Sequence, residues 1–590
     1  MSQKFENLLN LALETPEQTR EKTDNLNVGF EAAENTWEVI VKYHGDLGEL
    51  ANYGIQVEYL IAGYAILTVP AEQMEQLALF EEIEYVEKPK RYYFGEELPT
   101  ENSCVYPVTL GNLMLTGLDN VVAVLDSGID FERMEFRKPD GSTRILYLWD
   151  QTLTSQGNNR PPEGFEMGVE FTEEQINQAL TAGGEDSFLQ IPSRDVSGHG
   201  TAVAGIAAAS PVRTEEGGIY QGIAPESDLI IVKLGTPREG GFPKTTEIMR
   251  AVTYAVRKAV ELGKTLVINL SFGNSYGSHD GSSLIERFLD NAAEIGRTVI
   301  CVGAGNEGDS DGHYAGFVDT AQVVEISVGE YEKNLSIQLW KQYSDEFQIG
   351  LRAPDNTFVI LTNLVNAGKQ ELIISQTQVL VYWGEPKPYS VLQEIYFDLI
   401  PLGGRNYIDS GVWKLELSPV KVFTGKYDCY LPSSEARNSR SGFLRSTPEM
   451  TLTIPSTSSK IVTVGAYDTS YDQYAAFSGR GLAEVSRENS ITIAGMIKPD
   501  IVAPGVGILA PDVLGGYRSV TGTSFATPIV SGCAALLMEW GIVRGNDRYL
   551  YGEKVKAYLR RGAQPLRGEN VYPNERVGFG KLCLAESFPE

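Results

Sequence analysis

The sequence predicts an α/β protein: a parallel sheet with helices on both faces, an α+β module of ferredoxin-like pattern ahead of it, and an all-β sandwich inserted into it. Three observations predict this. From 119 to 304 apolar runs alternate with amphipathic stretches, the rhythm of strands buried on both sides and joined by crossover helices. Residues before about 100 follow a β, β, α, β order. From about Val324 the alternation stops, and short strand-like runs between turn signals replace it until it resumes near 451. The chain therefore divides into 1–100, 101–323, 324–450 and 451–590, with the second and fourth parts forming one domain.

In the first region, 36–43 alternates apolar and polar residues, and 57–69 supplies two strands around a bend at Gly63. The stretch 71–83 has helical periodicity with Met74, Leu77, Ala78 and Phe80 inward, and 84–90 is a last strand. In the second, the apolar run 120–125 ends at Asp126, and the small-residue run 201–209 predicts a helix lying close to the sheet. The strand 229–232 precedes a helix over 245–262 whose inward face carries Ile248, Val252, Ala255, Val256, Ala259 and Val260. The strand 266–270 precedes a helix over 282–295, and 298–302 is a further strand with a glycine-rich exit.

In the inserted region 335–340, 347–351, 357–362, 378–383, 394–400 and 412–417 read as strands of a sandwich. Trp340, Tyr382, Trp383, Tyr396 and Trp413 fall within or at the edges of these runs, as core residues do, so the insertion reads as a stabilising brace in preference to a carbohydrate-binding module. In the last region Ser524 opens a helix over 525–540, with Pro528 placed in its first turn, where a missing N–H is tolerated.

A chain of 590 residues with 42% apolar content can bury a large core. Its net charge of −29, from 49 basic and 78 acidic residues, argues against nucleic acid or an anionic membrane as partner. Residues 1–35 are polar and acid-rich, so no signal peptide is expected, and no apolar run is read as long enough to cross a bilayer. The five cysteines, Cys104, Cys301, Cys429, Cys533 and Cys583, lack metal-ligand spacing and are expected to stay unpaired, as in a reducing compartment. The expected location on these grounds is cytoplasmic, and the expected state a monomer.

Three segments carry chemistry: Val-Ala-Val-Leu-Asp126-Ser-Gly, Ser-Gly-His199-Gly-Thr-Ala-Val-Ala-Gly and Gly-Thr-Ser524-Phe-Ala-Thr-Pro. A serine hydroxyl is a weak nucleophile until an imidazole can take its proton, and the imidazole needs a buried carboxylate to fix its tautomer. Asp126 emerges from a strand end, where open α/β sheets place their ligands. His199 stands between two glycines before a helix, and Ser524 sits at a helix start that directs N–H groups at a reacting centre. Asn306, in Gly303-Ala304-Gly305-Asn306-Glu-Gly, is a side-chain amide suited to an oxyanion.

These segments, with Ile-Asn-Leu-Ser-Phe-Gly and Lys-Pro-Asp-Ile-Val-Ala-Pro-Gly, resemble the motifs of the subtilases, in the chain order Asp, His, Ser. Gly63-Tyr-Ala-Ile-Leu and Tyr85-Val-Glu-Lys-Pro-Lys resemble the subtilase propeptide, and the insertion resembles the jelly roll of the Csp germination proteases and related clostridial enzymes.

The resemblance implies a serine endopeptidase that removes its own propeptide by cleavage between about Phe94 and Ser103, near Glu96 or Glu97. It implies that Val232, Lys233, Leu234 and Gly235, with Leu270, Ser271, Phe272 and Gly273, clamp an extended peptide, the second group also walling the pocket for P1, the residue preceding the cleaved bond. Gly303, Ala304 and Gly305 join this substrate-binding set. His313 is placed near that pocket or on a solvated loop. Many subtilases bind calcium, but 210–220 lacks the usual ligand pattern, so neither metal nor cofactor is expected. The implied partners are a protein substrate, for instance the precursor of a spore cortex-lytic hydrolase, and the chain's own propeptide in the cleft. Two alternatives stay open: a catalytically silent sensor or scaffold, and a protease held latent by a retained propeptide.

Overall fold

The computed structural model describes residues 3–589, apart from 21, 24, 91–102, 110, 112, 156, 158, 215–217, 236–242, 362–366 and 483–496. Its centre is a nine-stranded sheet. From one edge the strands run Gln473–Tyr474, Val462–Asp468, Thr298–Gly303, Thr265–Leu270, Asn120–Asp126, Asp228–Lys233, Ile145–Asp150 and Val169–Thr172, and Ile501–Val506 also pairs with Val462–Asp468. The central pairings are parallel, and the two outermost are antiparallel.

The central strands are buried on both faces, so their apolar residues sort by pleat. Val122 and Val124 pack under the helices His199–Ala208 and Thr523–Met538, whereas Val121, Ala123 and Leu125 face the helices Thr245–Leu262 and Leu284–Ala293. The register sets Asp126 beside Lys233 and Leu125 beside Leu270, which brings the strand exits to one rim. Val260 departs from its expected inward position. It is exposed, because it lies in the last turn, beyond the part of the helix that covers the sheet.

The N-terminal domain is a five-stranded antiparallel sheet built on Thr36–Tyr43, Gln56–Tyr59, Tyr64–Pro70 and Ile83–Glu87. The helix expected over 71–83 is a 3-10 helix, Ala71–Leu79. Its buried residues, Met74 and Leu77, are three apart, which suits three residues per turn. A helix absent from the sequence reading, Asn7–Glu14, buries Leu8, Leu9, Leu11 and Ala12.

The insertion is a sandwich of six and five strands. It begins earlier than 324, at the strand His313–Phe317, and its last strand is Gly442–Phe443. His313 is therefore a sandwich residue and neither a pocket wall nor a loop histidine. It is buried, stacks on Tyr430 at 4.6 Å, and bonds the Thr447 carbonyl and Asp428 at 3.1 Å. Trp340, Tyr382, Trp383, Tyr396 and Trp413 are all buried. Trp383 and Trp413 fill the space between the two sheets, while Tyr382 and Tyr396 join the core of the N-terminal domain.

Three further expectations are corrected. Cys104 and Cys583 form a disulfide across 479 positions, a pairing that only the fold brings together, and Cys301, Cys429 and Cys533 are free and buried. The segment Thr523–Val543 is long and apolar enough to cross a membrane, but 83% of its apolar 18-residue window is buried in the protein, as the central helix of a core must be. Pro528 lies in the second turn of its helix, not the first. Its missing N–H leaves the Ser524 carbonyl without the usual helical donor, and that carbonyl accepts from Ser271 Oγ at 3.0 Å.

Candidate active site

Four strand exits and two helix starts converge on the rim. Asp126 ends its strand fully buried, and its Oδ1 accepts from Ser127 N–H and meets His199 Nδ1, both at 2.7 Å. With Nδ1 donating to the carboxylate, the lone pair of the imidazole is at Nε2. Gly200 lets the helix of His199 come down onto this exit, because a Cβ there would collide with the Gly128 carbonyl. The ring of His199 lies 5.1 Å from that of Phe525 and 6.0 Å from that of Phe272, so it sits among the neighbours of Ser524.

Ser524 is the second residue of its helix and is buried. Its hydroxyl donates to the Ser271 carbonyl at 3.0 Å while Ser271 Oγ donates back to the Ser524 carbonyl, so the two serines fix one another. Asn306 Oδ1 accepts from Thr523 N–H at 3.0 Å and from Thr523 Oγ1 at 3.1 Å. This orients the amide by its hydrogen bonds and assigns Nδ2 as the outward donor. Thr523 Oγ1 in turn accepts from Gly305 N–H at 3.1 Å.

A small cavity beside Ser524 is lined by Ser271, Phe272 and Gly273 on one side and Gly303, Gly305 and Asn306 on the other. Thr453, Glu307, Ser433 and Glu435 complete it. Of the expected substrate-binding residues, Val232, Lys233, Leu234, Gly235, Leu270 and Ala304 do not line this cavity. Leu234 N–H bonds the Asp126 carbonyl at 2.8 Å, and Lys233 Nζ faces Asp150 at 3.4 Å. The Ala304 backbone is committed to Val464 and Thr453. The expected cleavage window, including Glu96 and Glu97, lies outside the described residues except for Ser103.

Two supports were missed in the sequence. Asp195 accepts from Ser127 Oγ at 2.8 Å, Gly198 N–H at 2.9 Å, and the Thr201 N–H and hydroxyl at 2.8 and 2.7 Å. It thus satisfies the open end of the histidine helix and ties it to the aspartate loop. An Asp three residues before the helix cap was the available signal. Asn269 receives Ser531 Oγ at 2.8 Å and donates to Ser271 Oγ at 2.9 Å, a link with no sequence signature.

The N-terminal domain covers the opposite helices. Arg250 is held between Glu58, at 2.9 Å, and Glu38, at 3.3 Å. Burial pushes the Glu38 carboxyl upward, but Arg250 and Lys244 outweigh it and leave it lowered to about 2. Lys90 pairs with Glu6 and Glu87, each at 2.8 Å, and Glu87 Oε2 accepts from Leu284 N–H at a helix start. On the side facing the sandwich, Glu394 is buried near Glu6. Desolvation first, and the Glu6 charge second, raise its carboxyl to about 7 against the opposing effects of Lys90, Lys387 and Asn7.

Comparison with known proteins gives two family matches, the Csp protease B prodomain over residues 3–90 and the subtilase family over 117–379 and 438–580. The solved structure of the Clostridium perfringens CspB protease is 34% identical, covers 82% of this chain and 95% of that one, and superposes with a TM-score of 0.72. The minor extracellular protease Vpr of Bacillus subtilis is 22% identical over 495 residues, 80% of this chain and 52% of Vpr. The match thus spans about half of Vpr. The major intracellular serine protease of the same organism is 40% identical over 117 residues, which are 20% of this chain and 32% of that protein.

Proposed function

The chain belongs to the subtilase family, and from that premise we propose that it is a serine endopeptidase that cleaves its own N-terminal domain from the rest. The observation that carries this reading is the 2.7 Å contact of His199 with the buried Asp126, on the same rim as Ser524 and Asn306. Ser524 Oγ attacks the scissile carbonyl and passes its proton to His199 Nε2. Asp126 stabilises the imidazolium through Nδ1–H, and Asn306 Nδ2 with the Ser524 N–H holds the oxyanion. His199 then protonates the leaving amine, and water repeats the cycle on the acyl-enzyme. Each step uses only protons and electron pairs that these groups supply.

The substrate is an extended segment of a protein, and resemblance to the Csp germination proteases makes the precursor of a spore cortex-lytic hydrolase the proposed target. A cytoplasmic or spore-associated monomer fits this role. A second reading is favoured by a specific observation: Leu8, Leu9 and Trp37 of the N-terminal domain share one apolar core with Leu380, Tyr382, Tyr396 and Ile400 of the sandwich. After cleavage the domain stays docked between sandwich and catalytic domain as a retained inhibitor. Intact mass after incubation tests the first reading. The native chain splits between 94 and 103 and Ser524→Ala does not, whereas a native chain that never splits contradicts it. Gel filtration of the split chain tests the second, since the two pieces are expected to co-elute.

A further inference from the structure

We propose that Thr453 and the sandwich segment at Ser433–Glu435 restrict the P1 pocket to short, uncharged side chains, with hydroxyl-bearing ones preferred. This rests on the endopeptidase reading and goes beyond it, because it gives the insertion a part in choosing the cleaved bond.

The two walls of the pocket are glycine backbone, and Thr453 stands between them. A Cβ on either Gly273 or Gly305 would collide with the Thr453 side chain. Thr453 is fixed there by its backbone, whose N–H bonds the Ala304 carbonyl at 3.0 Å and whose carbonyl accepts from Ser456 N–H and Oγ at 2.7 and 2.6 Å. Its hydroxyl is buried and has no hydrogen-bond partner among the described residues, although it lines the cavity. A buried polar group of this kind is stabilised when a ligand supplies the missing partner.

Beyond Thr453 the pocket is closed by the insertion. Glu307 accepts from Ser434 N–H at 3.1 and 3.2 Å and from Ser434 Oγ at 3.0 Å, and Ser433 Oγ meets Ser275 Oγ at 3.2 Å. These bonds hold Ser433 and Glu435 against the pocket. The space left is about 30 Å³. That volume admits Ala, Ser or Thr and not the side chains of Leu, Phe or Lys. The carboxylate of Glu307 lines the pocket and disfavours an acidic P1. Of the residues from 94 to 103, Gly95, Thr100 and Ser103 fit these limits. Glu96 and Glu97 do not.

The test is covalent labelling of Ser524 in the full chain with peptidyl aryl phosphonates bearing P1 Ala, Thr, Leu, Phe, Lys or Glu, beside a simple alkyl fluorophosphonate without a peptide. Ala and Thr probes are expected to label at least tenfold faster than the other four. In Thr453→Ala the Leu and Phe probes gain tenfold or more relative to the Ala probe. Leu, Phe, Lys or Glu probes that match Ala in the native chain would overturn the inference, as would an unaltered profile in Thr453→Ala. Failure of the alkyl probe to reach Ser524 in a chain that also never cleaves itself would instead contradict the endopeptidase reading. Should Thr453→Ala not fold, the native profile and the position of the self-cleaved bond still decide.

Discussion

The rim around Ser524 and the surface that holds the N-terminal domain are built from opposite materials. At the rim, small side chains and backbone groups are joined by neutral hydrogen bonds, and the His199–Asp126 pair and Asp195 supply the charge. The docking surface instead relies on buried ion pairs, Arg250 with Glu38 and Glu58 and Lys90 with Glu6 and Glu87, together with an apolar core shared with the sandwich. The difference teaches where each kind of change should register. Rim substitutions alter chemistry with little effect on docking. Docking substitutions alter retention of the domain and its pH dependence without changing the chemical step.

The sharpest separation comes from Ser524→Ala, which should lower turnover by about a millionfold and abolish self-cleavage while thermal unfolding stays within about 1 kcal/mol of the native chain. Arg250→Met breaks the comparison from the other side. It leaves the half-buried Glu38 and Glu58 without Arg250, although Lys244 still faces Glu38 at 3.6 Å, a loss of up to about 3–5 kcal/mol. The cleaved N-terminal domain should separate on gel filtration while self-cleavage between 94 and 103 still occurs. Asn306→Ala should cost about 2.7–4 kcal/mol, seen in kcat and not in KM, which is the magnitude found for the equivalent loss in subtilisin itself.

The smallest effect is one of pH. The Glu38 carboxyl is lowered, so its contribution is present above the ordinary carboxylate range and is lost as pH falls toward about 2. Glu394 works in the opposite sense. Its carboxyl is raised to about 7, so docking is favoured while it is protonated and weakens as pH rises from about 4.5 through about 7. The change is on the order of 3 kcal/mol or less. The N-terminal domain should be released faster at pH 8 than at pH 5, and Glu394→Gln should flatten that difference. Equal release at both pH values in the native chain would remove Glu394 from the account.

Legibility in the sequence followed the same division. Asp126, His199, Asn306 and Ser524 could be read because the chemistry needs those residue types at strand exits and helix starts, and the strands that carry them are continuous apolar runs. Ser271, Phe272, Gly273, Gly303 and Gly305 came from the family resemblance, and the structure places them around the cavity beside Ser524. Val232 to Gly235 were expected along the peptide and not in the P1 pocket, and their strand exit lies beside Asp126, away from that pocket. Glu38, Arg250 and Glu394 gave no signal. A charged residue on an amphipathic helix looks solvated until another domain covers it, and the Asn7–Glu14 helix lies in a polar stretch whose apolar face matters only against the sandwich. The Cys104–Cys583 bond was hidden for a related reason, since spacing carries no information about partners joined by the fold.

The most direct test of the central claim, that His199 and Asp126 activate Ser524, is labelling by an alkyl fluorophosphonate followed by peptide mapping. The native chain should carry the label on Ser524, and His199→Ala should lose it while remaining folded. Equal labelling of native and His199→Ala chains, or a label on another residue, would contradict the account.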